Sequence, residues 1–197
     1  MLGSITPLGE RGRQARWAVT VGAYILGSAA AGAALGALAG LLGDAALGDA
    51  GTGPRLAVLA AAGLLGALAD SGRTALRLPT VRRQVDDAWM QEYRGWVYGL
   101  GFGLQLGLGV VTIVTSATVY LTFLAAFLTG SPAAGALVGL VFGAARALPV
   151  LVVRGVRTPR ELGAVEARLR RLEPSARRLA LGAQLALAAG IVVALAA

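Results

Sequence analysis

Four hydroxyls fall within seven residues, Thr112, Thr115, Ser116 and Thr118, in the middle of a run that holds no charge between Arg94 and Arg146. A hydroxyl in an apolar helix can bond back to the carbonyl one turn earlier and stay silent in lipid, or several together can line a polar cavity. Arg146 is the other candidate. A guanidinium inside an apolar segment costs several kcal/mol unless it is hydrated or paired, so it marks a functional position by default. The alternative is that its long side chain snorkels toward the nearer membrane surface. No acid falls inside an expected span, so the hydroxyl cluster, Gln105, backbone carbonyls or an anionic solute are the partners in view for Arg146. Gln105 and Gln184 read more readily as hydrogen bonds between helices than as ligands.

Other chemistries are poorly served. The chain has no cysteine and no histidine, which argues against thiol redox work, zinc and haem. No catalytic triad or carboxylate pair stands out, and neither an enzyme nor a cofactor is expected. The net charge of +8 would suggest nucleic acid in a soluble protein. Here the arginines flank apolar segments, so membrane topology and anionic lipid headgroups explain them better than nucleic acid does.

The elements that must position these residues are membrane helices. Of 197 residues, 56% are hydrophobic and only 14% charged, and the charges gather in blocks between long uncharged runs. Spans are expected at 17–43, 55–69, 95–129, 133–153 and 179–197. Amphipathic helices on the cytoplasmic side are expected at 80–94 and 158–173. In the second of these, Thr158-Pro159-Arg160-Glu161 is a capping box and Pro174 a stop. The run 95–129 is too long to cross unbroken. As one helix it would reach about 50 Å, against a hydrocarbon core of about 30 Å. We therefore expect a break near 112–116, where freed backbone groups meet polar partners. The glycines at 99, 101, 103, 107 and 109, like Ser28, Gly32, Gly36 and Gly40 earlier, read as faces for close helix packing.

Arginine asymmetry then sets the topology. Segments 1–16, 70–94 and 154–178 are arginine-rich, while 44–54 and 129–132 hold none, which places the rich ones inside. The broken segment must cross once. The expectation is an all-α, polytopic protein of the plasma membrane forming one domain. It has about five transmembrane helices, N-terminus cytoplasmic and C-terminus outside, beginning with an uncleaved anchor.

Laying the first helix over the fourth, and the second over the last, suggests a degenerate inverted repeat. The run GLGVVTIVTSATVYLTFLAAF, the Gly-Ser-Pro turn and GALVGLVFGAARALPVL together resemble the cytochrome c biogenesis transmembrane (CcdA/DsbD-like) family of the LysE-type transporter superfamily. That family places a redox cysteine and a helix-breaking proline where this chain has threonines and a serine. The resemblance therefore implies the architecture and not the thiol chemistry. Two functions follow as expectations. One is a transporter-like protein binding a small polar or anionic solute at Arg146, Thr112, Thr115, Ser116 and Gln105. The other is a non-transporting scaffold or assembly factor. For either, a homo-oligomer through the Gly/Ala faces is a further expectation.

Overall fold

The computed structural model describes residues 5–12, 16–48, 50–72, 93–109 and 116–196. The described residues form helices and the turns between them. In chain order these are α1 (Pro7–Gly12), α2 (Trp17–Leu47), α3 (Thr52–Asp70), α4 (Gly95–Gly107), α5 (Thr118–Leu128), α6 (Pro132–Ala147) and α7 (Pro159–Ala196). A 3-10 segment, Leu148–Val153, continues α6. Helices α2, α3, α7 and the α6 unit are each long and apolar enough to cross a membrane. The protein is thus an all-α, polytopic membrane protein.

The long central helix is α2, about 46 Å at 1.5 Å per residue. Its small residues at four-residue spacing decide what packs on it. A Cβ on Gly36 would lie 2.1 Å from the carbonyl oxygen of Gly135, and one on Gly32 would lie 2.2 Å from that of Gly139. Backbones this close leave no room for any side chain, and contacts from Cα–H to carbonyl oxygen replace side-chain packing. On another side of α2, Gly99 meets the carbonyl of Thr20, Gly103 that of Tyr24 and Gly107 that of Ser28. Both seams are the close helix packing expected from the spacing.

These contacts also give the direction of each helix. Residue numbers rise together along α2 and α4, so the two run parallel. They run oppositely along α2 and α6, where Gly40 meets Ser131 and Ser28 meets Gly143. The carbonyl of Phe127, near the end of α5, packs on Gly43 near the end of α2. Helices α4 and α5 are therefore two halves of one passage alongside α2, with the break level with its middle. Helix α4 ends as Leu108 and Gly109 donate to the carbonyls of Leu104 and Leu106, Gly109 taking a left-handed φ of +67°. Helix resumes at Thr118. The expected break near 112–116 falls between these two helices, with residues 110–115 outside the described residues.

Two other boundaries differ from expectation. Helix α7 is a single element of 38 residues through Pro174, not an amphipathic helix at 158–173 followed by a separate span at 179–197. Proline removes one N–H, but residues 170–178 are exposed, where solvent can take the freed carbonyl. The capping box at its start does form. Arg157 N–H and Thr158 N–H donate to Glu161 Oε2 at 2.7 and 3.2 Å, and Glu161 N–H returns to Thr158 Oγ1 at 3.3 Å. The Arg157 backbone N–H, joined by the Thr158 groups, holds the Glu161 carboxyl below its usual range. Helix α3 is longer than the expected 55–69 and takes in Asp70. The amphipathic helix expected at 80–94 lies outside the described residues except for Tyr93 and Arg94, which precede α4 without being helical.

Candidate functional site

Where α5 begins, four backbone N–H groups have no helical partner. Asp70, the last residue of α3, supplies the acceptor. Both its carboxylate oxygens accept from Ala117 N–H at 3.0 Å, and Oδ2 also accepts from Ser116 Oγ at 2.7 Å. Gln184 of α7 completes the group, its Nε2 donating to Asp70 Oδ2 at 2.8 Å and to Thr118 Oγ1 at 2.9 Å. A carboxylate at a helix N-terminus is stabilised by the orphan donors and by the helix dipole together. Three helices thus converge on one buried carboxylate at the break.

Small residues bring it there. Gly66, one turn before Asp70, packs on Ala117 and Leu121, and Gly63 packs on Ala188 and the Gln184 carbonyl. Arg177 of α7 donates from Nε and Nη2 to the main-chain carbonyl of Asp70 at 2.9 and 2.6 Å, closing the C-terminal end of α3. Gln184 is 3% exposed and its Oε1 has no hydrogen-bond partner among the described residues.

Arg146 meets the other edge of the same break. Its Nη1 donates to the carbonyl of Gly109 at 3.3 Å, and the guanidinium stands 5.6 Å from the centre of the Phe142 ring. Of the sequence candidates, then, Arg146 and Ser116 both lie at the break, but on opposite edges and with different partners. Gln105 is half-buried on α4 and its side chain makes no hydrogen bond among the described residues. Thr112 and Thr115 lie outside the described residues. Beside Phe142, an open groove of about 370 Å³ is lined by Thr122, Leu137, Val138, Val141, Phe142 and Ala145 and is apolar.

Sequence reasoning missed two acids. Asp70 counted there as part of the arginine-rich loop, with no acid inside a span; the structure makes it the buried end of α3. A signal was available, since Asp70 directly follows the uncharged stretch 56–69 with glycines at 63 and 66. Glu10 is the second. It is 1% exposed and accepts from Thr20 Oγ1 at 2.8 Å and from the Tyr98 hydroxyl. It joins α1 to α2 and α4, beside a core of Ile5, Val21, Tyr24, Tyr98, Phe102, Ala147 and Val150.

Comparison with known proteins adds one name. The chain is 34% identical over 154 residues to the methylamine utilization protein MauF of Paracoccus versutus, across 76% of this chain and 56% of that one. It is 35% identical over 129 residues to MauF of Methylorubrum extorquens, across 66% of this chain and 44% of that one. It resembles MauF. The chain spans about half the length of these curated relatives. No family model matches it, and no solved structure does.

Proposed function

We propose that this integral membrane protein is an accessory factor in methylamine utilization, acting as a scaffold and not as a conduit. The observation that carries this reading is the use made of polar groups at the break. Ser116, Thr118, Gln184 and the Ala117 N–H are bonded to Asp70 or to one another, which is how helices are held together in lipid. The glycine seams of α2 point the same way, because contact between backbones favours a rigid bundle. The similarity to MauF supplies the physiological setting.

A second reading, a carrier of a small polar or anionic solute, draws on Arg146. A guanidinium bonded to the carbonyl that ends a broken helix is the arrangement a solute site would use.

Deletion and complementation separate the two. Loss of the gene is expected to abolish growth on methylamine while leaving growth on other substrates intact; unimpaired growth on methylamine would sink the proposal. Complementation with Arg146→Leu should restore growth if the protein is a scaffold. Failure to restore, with the variant inserted at wild-type abundance, would instead support the solute reading.

A further inference from the structure

The groove beside Phe142 and the guanidinium of Arg146 share a wall. The Phe142 ring lines the groove, and the guanidinium carbon stands 5.6 Å from its centre. Ala145, the neighbour of Arg146 along α6, lines the groove as well. Behind both lies the end of α4. Arg146 donates to the Gly109 carbonyl, and a Cβ on Gly109 would lie 3.3 Å from the Phe142 ring and 2.9 Å from that of Phe123. Phe123 in turn meets Phe142 edge-on at 5.2 Å. A carbonyl and a ring thus hold the guanidinium at one end of the groove, and neither of them carries a charge.

Away from that end the groove is apolar. Leu137 and Val141 are 63% and 57% exposed, and the Thr122 hydroxyl is turned to the Thr118 carbonyl at 2.8 Å. From Ala145 back to Leu137 the groove follows α6 for about 12 Å. Helix α6 belongs to an element long and apolar enough to cross a membrane, so an acyl chain beside it runs in the direction of the groove.

The charged end of the groove is also the arginine-rich end of the bundle. Arg16 precedes α2, Arg94 precedes α4, and Arg154 and Arg157 follow the α6 unit. On α7, Arg170, Arg171 and Arg178 are exposed, and Arg177 is bonded to Asp70 at the break itself. Exposed arginines keep headgroups or water about them. The polar zone of this leaflet therefore reaches inward to the break, where Arg146 meets Gly109.

We propose that Arg146 and the groove form a site for an anionic phospholipid, with the phosphate on the guanidinium and one acyl chain along α6. A phosphate brings the negative charge that the carbonyl and the ring lack, and its oxygens match the guanidinium fork. A zwitterionic lipid would fill the groove equally well but would bring its cationic group beside an arginine. The inference stands apart from both readings above. It concerns lipid affinity, and Arg146→Leu can lose the lipid whether or not it restores growth.

The test places the full chain in phosphatidylcholine nanodiscs doped with a phospholipid that carries a photoreactive diazirine on its acyl chain. Phosphatidylglycerol and phosphatidylcholine probes with the same chains are compared, and adducts are mapped by mass spectrometry of peptides. The phosphatidylglycerol probe is expected to mark Leu137, Val138 and Val141 severalfold more than the phosphatidylcholine probe does. Arg146→Leu should bring the two probes level there, while Arg170→Gln, at an exposed position of α7, should leave the difference intact. Val141→Trp, which fills the groove from its lipid side, should remove the adducts at Leu137 and Val138. Excess inorganic phosphate should change nothing. Equal marking by both probes in the wild type overturns the proposal, as does a preference that survives in folded Arg146→Leu. Loss of the preference in Arg170→Gln would make it a general attraction to a basic protein, and displacement by phosphate would make it an ion site; either overturns it. Absence of adducts in the groove, as when a second copy or a partner helix covers it, overturns it too. Should Arg146→Leu not fold, Val141→Trp decides: unchanged adducts at Leu137 and Val138 overturn the proposal.

Discussion

At the scale of single residues, Asp70 is the one whose removal should be felt most. Its carboxylate accepts from α5, from Ser116 and from α7 at once. In Asp70→Ala the Ala117 N–H and the Gln184 amide lose an acceptor in a buried place. Each donor so orphaned costs about 1–3 kcal/mol. The variant should insert in the membrane but unfold at a clearly lower midpoint in detergent, with α5 the first helix to lose protection from hydrogen exchange. A midpoint unchanged from wild type would show that the cap contributes nothing. Arg146 contrasts with it: half-buried, on the other edge of the break, it has a main-chain carbonyl and an aromatic ring as neighbours.

At the scale of elements, the seam between α2 and α6 is built from backbone. A methyl group on Gly36 would sit 2.1 Å from the Gly135 oxygen, with the Gly139 Cα 3.0 Å away. Neither neighbour is a side chain that can swing aside, so Gly36→Ala must push the helices apart along the whole seam. Gly190, on α7, has nothing within 4 Å of the same imaginary Cβ. There alanine only removes the conformational freedom of a helical glycine, worth about 0.5–1 kcal/mol in favour of the folded state. Gly36→Ala is therefore expected to lower the unfolding midpoint sharply and Gly190→Ala to leave it equal or higher. Equal effects of the two would contradict the seam as described.

At the scale of the whole molecule, the register along α2 makes a claim about topology. Gly99 lies level with Thr20 and Phe127 level with Gly43, so α4 and α5 carry the chain from one end of α2 toward the other. Arg94 and Ser131 should then lie on opposite sides of the membrane. Because the chain has no cysteine, single Arg94→Cys and Ser131→Cys variants give a clean background for a membrane-impermeant thiol reagent. Intact, sealed vesicles should label one and not the other. Labelling of both from one side would make the pair a re-entrant hairpin. Around this passage, α2 and α6 run antiparallel, as do α3 and α7, whose contacts pair Gly53 with Leu195 and Asp70 with Arg177.

What the amino-acid sequence determined by itself is set by properties local to a segment. Long uncharged runs between arginine blocks made the helices and the membrane class legible. Thirty-five uncharged residues at 95–129 exceeded any bilayer and so announced a break. Ser28, Gly32, Gly36 and Gly40 announced a close-packed face, and Thr158 and Glu161 a capped start. Only the tertiary structure could decide who meets whom. Asp70 and Ala117 are 47 positions apart, and Asp70 and Gln184 are 114 apart. No periodicity links residues at such distances. Asp70 read as a loop acid because charge at the end of an apolar run is normally solvated, and Pro174 read as a stop because proline normally ends a helix. Each was overruled by its surroundings: the orphan N–H at the start of α5, with the Ser116 hydroxyl and the Gln184 amide, needed an acceptor in the one case, and solvent could satisfy the freed carbonyl of an exposed helix in the other.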